Sequence, residues 1–259
     1  MSNILLLQSY DFASVSTSSQ ASGFPATNVG TDRMEQEWRP SGVTGHVQID
    51  LGEAMELDTF AAINVRSEGT FTMRVRIDDD TDVATAPDWD SNAVTFGASR
   101  LPTSDFSHAL ITRESALSRR YVRFDFDDTG NTGDFGVVRL LVGKRFQPAK
   151  NHDYGAETPI NPTVPFGRNN FNAIDVAPGR ARSDLKCSLP YLTEDEALTD
   201  LWQMQRLAAE GKPIMVHMNP TDTTYFDAKM HYGYARSGMR KTHQYLGAYK
   251  VNLDLAGVI

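Results

Sequence analysis

Alternation of apolar and polar positions is the strongest signal in this chain. Within Arg119–Lys144, Val122, Phe124 and Phe126 point one way while Tyr121, Arg123 and Asp125 point the other. That period of two marks a half-buried strand. A loop rich in Asp, Asn, Gly and Thr follows. The next run, Val137–Val142, is apolar apart from Arg139 and predicts a strand covered on both faces. The pair reads as a hairpin, and a hairpin alone buries little, so further sheet must pack on it. The same alternation recurs upstream. Val47, Ile49 and Leu51 oppose His46, Gln48 and Asp50, with Gly52 ending the run, and Phe71, Met73, Val75 and Ile77 oppose Thr72, Arg74 and Arg76. Short strands between polar turns predict an antiparallel sandwich over residues 1–145, without a helix.

The pattern changes after Lys144. Pro148, Pro159, Pro162 and Pro165 punctuate a loose, Asn-rich stretch over 146–180. Proline resists regular pairing, so this reads as a linker or an arm laid on a neighbour. Order returns where Leu185, Cys187 and Leu189 alternate with Lys186 and Ser188. Thr193 then opens Thr-Glu-Asp-Glu, a capping box with Glu196 reaching back, and predicts a helix over 194–210. Ala197, Leu198, Leu201, Trp202, Gln205 and Ala208 share its apolar face, and Gly211 with Pro213 stops it. Strands follow at Ile214, Val216 and Met218, at Met230, Tyr232 and Tyr234, and at Tyr249, Val251, Leu253 and Leu255. The expected fold is mainly β: a sandwich over 1–145, the linker or arm, and an antiparallel sandwich or barrel over 181–259 with one flanking helix.

Composition narrows the partners. The chain has 259 residues, 40% of them apolar, enough for two modest cores. A net charge of −8 and scattered Lys and Arg residues argue against nucleic acid. Cys187 is the single cysteine, which excludes an internal disulfide and a multi-cysteine zinc site. The N-terminus has only a short apolar run without a basic flank, so neither a signal peptide nor a membrane partner is expected. The expectation is synthesis in the cytoplasm.

Several short motifs stand in a telling order: SSQASGFPATNV, EWRP, HVQIDLG, LDTFAAINV, RRYVRFDF and VVRLLVG. Together they resemble a discoidin-type (coagulation factor 5/8 C-type) β-sandwich over roughly the first 145 residues. The resemblance implies loops at one end that bind glycans or lipid headgroups, and in some members a structural calcium. The second half, with its strand, capped helix, Gly-Lys-Pro-Ile-Met-Val, Asn-Pro and long final strand, resembles tail-tube-like proteins of long-tailed bacteriophages. That resemblance implies a ring, sixfold in such tails, with tail-tube, hub and tape-measure proteins as partners.

Candidate chemistry is sparse. Asp32, Glu35 and Glu37 offer hard oxygens for calcium in the loop before Trp38, as do the acids of Asp78–Asp82. A solvated acidic turn explains each run better, because no ligand spacing is present. Trp38 reads as a core plug. Trp89, flanked by Asp88 and Asp90, is the better glycan contact. His217, His231 and His243 lie on or near predicted strands, but lack the paired spacing of a zinc site. No P-loop, nucleophile elbow or dinucleotide fingerprint is present, so neither a cofactor nor an enzyme activity is expected. Tyr225, Phe226, Tyr232 and Tyr234 are candidate assembly aromatics, the last two explained equally by core packing.

The main expectation is therefore a phage tail-tip protein of the distal-tail or baseplate type. It would form a homo-oligomeric ring in the virion, with an outward sandwich touching host glycans. The alternative is a carbohydrate-binding module without a ring. A metal-dependent hydrolase built on the histidines is the third reading.

Overall fold

The computed structural model describes residues 2–100, 104, 106–162, 166–168, 174–176, 181–237, 239–245 and 247–258. Its strands in chain order are β1 (Leu5–Leu7), β2 (Ser14–Thr17), β3 (Thr44–Arg66), β4 (Phe71–Asp78), β5 (Trp89–Asp90), β6 (Val94–Phe96), β7 (Phe106–Asp127) and β8 (Gly136–Gly143). Then come β9 (Ile160–Pro162), β10 (Phe166–Arg168), β11 (Ile174–Val176), β12 (Ala181–Ser183) and β13 (Leu185–Leu192). Helices α1 (Glu194–Leu198) and α2 (Asp200–Ala209) precede β14 (Ile214–His217), β15 (Met230–Ala235), β16 (Arg240–Tyr245) and β17 (Ala248–Gly257). Among the described residues the fold is mainly β, with antiparallel ladders, one α-helical region and short 3-10 turns at Ala26–Gly30 and Asp227–Lys229. No described helix is long and apolar enough to cross a membrane. The chain divides into two compact units, Met1–Gln147 with Met215–Met230, and Pro148–Ile214 with His231–Ile259.

In the first unit β3 and β7 pair along nearly their whole length, from Thr44↔Asp127 to Arg66↔Phe106. The first half of β3 also carries β2, and the matching part of β7 carries β4. The second half of β3 carries β8 instead, from Thr59↔Gly143 to Arg66↔Gly136. The runs around Ile49 and Phe60 are thus one continuous strand. Gly52, expected to end it, lies at φ +86° beside a register shift between Asp50 and Met55. A positive φ costs glycine nothing, so the strand bulges and bends there without stopping.

The pairing of β7 with β8, expected from their adjacency, does not occur, because β3 lies between them. Side chains of both halves meet in one core of Val47, Ile49, Phe60, Phe71, Val75, Val122, Phe124, Phe126, Val137 and Leu140. Each such side chain contributes about 1.5–3 kcal/mol on burial. Trp38 is fully buried and donates its indole N–H to the Ser19 carbonyl at 3.1 Å. Segment 215–230 enters this unit as β14, which pairs with β1 from Leu5↔His217 to Leu7↔Met215. It is fastened by Asp227, whose carboxylate accepts from the His108 backbone N–H at 2.7 Å and from Ser99 Oγ at 2.9 Å.

In the second unit β17 is central, pairing with β13 on one side and with β15 and β16 on the other. Leu185, Cys187 and Leu189 of β13 and Val251, Leu253 and Leu255 of β17 are buried, as their alternation predicts. The capping box forms at Thr193 and Glu196. The helix breaks at Thr199 (φ −107°, ψ −99°) and resumes as α2. That break corrects its face: Ala197, Leu201, Met204 and Ala208 are buried, while Leu198 and Trp202 are exposed. Within 146–180, β9 pairs with β12 and β10 with β11, although β9 ends on a proline. Positions 163–165, 169–173 and 177–180 of that stretch lie outside the described residues.

Candidate functional site

Trp89 is held from both sides. Strand β5 pairs with the end of β4 through Ile77↔Trp89 and Arg76↔Asp90. Asp90 chelates Arg74, with Nε at 2.8 and 3.1 Å from its two oxygens, and accepts from the Asn92 backbone N–H at 2.8 Å. The Arg74 hydrogen bonds hold the Asp90 carboxyl below the usual carboxylate range. On the other flank Asp88 pairs with Arg119. The two aspartates expected to touch a ligand are therefore committed to arginines, and their effect is to fix the backbone around the indole.

One face of Trp89 stacks on Phe60, centroids 5.5 Å apart and planes 21° from parallel. The indole also borders an open hollow of about 380 Å³, with Thr112, Arg113, Glu114 and Ser115 on the rim. Arg113 folds back, donating from Nη1 to Ser115 Oγ at 3.1 Å. Its own carbonyl accepts from Arg145 Nη1 at 2.7 Å, which steadies this turn of β7. Among the described residues, neither the Trp89 indole N–H nor the Glu114 carboxylate has a protein partner. An apolar plate beside an unused donor and an unused acceptor can seat a polyhydroxylated ring. Thr112–Ser115 carry no sequence signal for this role. They lie in a bulge of β7, where Thr112 pairs with Thr59 and Leu117 with Leu57, so that the residues between leave the ladder.

A second hollow, of about 260 Å³, is lined by Arg66, Ser67, Glu68, Arg100 and Asp134. Ser67 Oγ donates to Asp128 Oδ1 at 2.7 Å, and Asn131 Nδ2 donates to the same oxygen at 2.6 Å. Asp128 is buried, which pushes its carboxyl above the ordinary range despite both hydrogen bonds.

The acidic loop before Trp38, weighed as a calcium site but expected to be a solvated turn, is closed by guanidinium groups. Arg139, buried in β8, donates to Asp32 Oδ1 at 3.1 Å and to the Val29 carbonyl at 2.9 Å. Glu37 accepts from Arg39 Nε at 2.9 Å and from Arg66 Nε at 3.2 Å, while Glu35 is exposed. In the Asp78–Asp82 turn, Asp78 and Asp80 accept backbone N–H groups two residues on, at 3.0 and 3.2 Å. Neither acidic run nor the trio His217, His231 and His243 forms a metal-holding group among the described residues. His217 and His231 are buried, and His243 stacks on Tyr249 at 4.7 Å.

The assembly aromatics divide by burial. Tyr225 is 62% exposed, and Phe226 is buried against His217 and Phe96, with centroids at 4.5 and 6.0 Å. Tyr232 is buried and Tyr234 is half-buried. Burial pushes the Cys187 thiol up to about 12.

No family model matches the chain, and no curated protein matches it. Several solved structures are similar to about half of it. One is the CBM32 of AlyQ in complex with 4,5-unsaturated mannuronic acid, at 16% identity and TM-score 0.42, covering 52% of this chain and 98% of that one. Another is the family 32 CBM of C. perfringens NanJ in complex with galactose, at 12% identity and TM-score 0.40, covering 52% and 97%. A third is the chitosan-binding module 1 of a Paenibacillus sp. IK-5 chitosanase/glucanase, at 16% identity and TM-score 0.39, covering 53% and 100%.

Proposed function

We propose that the first unit is a non-catalytic carbohydrate-binding module whose sugar subsite is the hollow beside Trp89. The observation that carries this is the indole itself: rigidly backed by Phe60, open toward a hollow, its N–H unused, with the unpaired Glu114 carboxylate nearby. A pyranose would lay its C–H face on the indole and donate hydroxyls to Glu114, while Arg113 and Thr112 supply further polar contacts at the rim. Because Arg113 and Glu114 balance one another, a neutral sugar suits the hollow best.

Calorimetric titration of the full chain against a panel of neutral oligosaccharides tests the proposal. Trp89→Ala should abolish binding. Since that variant also loses the Phe60 contact, Glu114→Ala on the exposed rim should weaken binding about tenfold without altering the thermal melt. Absence of binding to any neutral saccharide, or equal binding by both variants, sinks the proposal.

A second reading is an assembly role in a phage tail tip. It is favoured by exposed apolar side chains in the second unit, among them Tyr154, Ile160, Tyr191 and Trp202. Tyr191 also sits at φ +61°, a conformation uncommon for a non-glycine residue. Light scattering of the full chain decides it. A ring-sized mass supports the tail reading, and a monomer at every concentration counts against it.

A further inference from the structure

The hollow at Arg66 sets two guanidinium groups, Arg66 and Arg100, among the carboxylates of Glu68 and Asp134, and the guanidinium groups are only partly used. Arg66 spends only its Nε on Glu37, at 3.2 Å, and that carboxylate is already shared with Arg39. Its guanidinium lies over the Phe106 ring, 4.9 Å from the centroid. Among the described residues neither Nη of Arg66 has a protein acceptor. Arg100 donates to two main-chain carbonyls, Ser67 O at 2.6 Å and Glu68 O at 2.7 Å, and no described carboxylate lies within ion-pair distance of it.

The two acids of the lining have partners of their own. Asp134 pairs with Arg39, and Glu68 accepts from Thr132 Oγ1 at 3.3 Å. Glu68 also packs on Gly133, where an added Cβ would meet its carboxyl carbon at 2.5 Å. The result is a planar guanidinium held by a ring and a carboxylate on the lining of an open hollow, its Nη groups without an acceptor among the described residues. Such a fork matches a paired-oxygen anion and loses little freedom on binding one.

We infer that this hollow is a second binding site on the first unit, taking the anionic group, carboxylate or sulfate ester, of an acidic saccharide. Arg66 grips two anionic oxygens in a bidentate fashion, and Arg100 adds charge while holding the Ser67–Glu68 turn. That the anion belongs to a saccharide rests on the proposed function above; the anion recognition does not. The two hollows then divide the labour: Trp89 takes neutral rings and Arg66 takes acidic ones.

The experiment is calorimetry on the full chain with four probes: a uronate trisaccharide, a sulfated trisaccharide, a neutral trisaccharide and inorganic sulfate, each at low and high salt. Arg66→Lys keeps the charge beside Glu37 but loses the fork, and Arg66→Gln removes the charge; thermal melts of both confirm folding. At least one acidic trisaccharide should bind, weaken tenfold or more in Arg66→Lys, weaken with salt, and be unaffected by Trp89→Ala. Which of the two binds identifies the anion.

Unchanged acidic binding in both Arg66 variants overturns the inference. Sulfate binding as tightly as the acidic saccharides overturns its saccharide part. Neutral binding that depends on Trp89, together with no acidic binding, leaves the proposed function standing and removes only this site. Acidic binding that depends on Arg66, with no neutral binding, does the reverse.

Discussion

Replacing Arg139 with Met tests how the loop before Trp38 is closed. Arg139 is 5% exposed, in a strand otherwise made of Gly, Val and Leu. Its guanidinium satisfies the Val29 carbonyl and pairs with Asp32, whose side chain is 31% exposed. Methionine fills a similar volume without a donor. Losing the charge-assisted bond costs about 1.5–3 kcal/mol, and stranding a buried carbonyl costs about 1–3 kcal/mol more. Breaking a fully buried pair would cost about 3–5 kcal/mol, but Asp32 can regain water, and the apolar methionine recovers part of the loss.

The net destabilisation should be about 2–4 kcal/mol, which in a unit of this size lowers the melting temperature by roughly 5–15 °C. Urea denaturation and thermal melts of the full chain read it. The double variant with Asp32→Asn should lose less than the two single losses added, since the residues share one interaction. The melt should also be indifferent to chelator and to millimolar calcium. An Arg139→Met protein as stable as the parent, or a parent stabilised by calcium, refutes the view that a guanidinium supplies the cation of this loop.

Three further outcomes follow from the same structure. Burial raises the Asp128 carboxyl, so the folded state holds that proton more tightly than the unfolded chain. Its contribution is therefore most favourable below about pH 4 and is lost as pH rises through the folded pKa; Asp128→Asn should gain stability relative to the parent over that interval in pH-dependent urea melts. Thr193→Ala removes the hydroxyl that accepts from the Glu196 backbone N–H while leaving the Thr193 backbone N–H to Glu196, and should cost about 1 kcal/mol, read as a lower urea midpoint. Cys187, buried with its thiol pushed up to about 12, should resist a thiol reagent at neutral pH until denaturant opens the second unit; rapid labelling of the native protein would contradict its burial.

Local pattern alone located several of the strands and the face that each of them buries. Val122, Phe124 and Phe126, like Val251, Leu253 and Leu255, are inside because period-two alternation leaves the backbone no other way to hide them. The capping box was equally legible, since its partners are three residues apart. The alternation carries no information about which strand lies beside which. Thus β3 separates β7 from β8, and residues 215–230 join the first unit, through ladders between segments far apart in sequence. The same holds for the sites. Asp88 and Asp90 looked available beside Trp89 until the fold brought Arg119 and Arg74 to them, while a bulge of β7 delivered Glu114. A charge finds its partner through space, and only the tertiary structure decides whether a guanidinium is spent on the fold or left for a ligand.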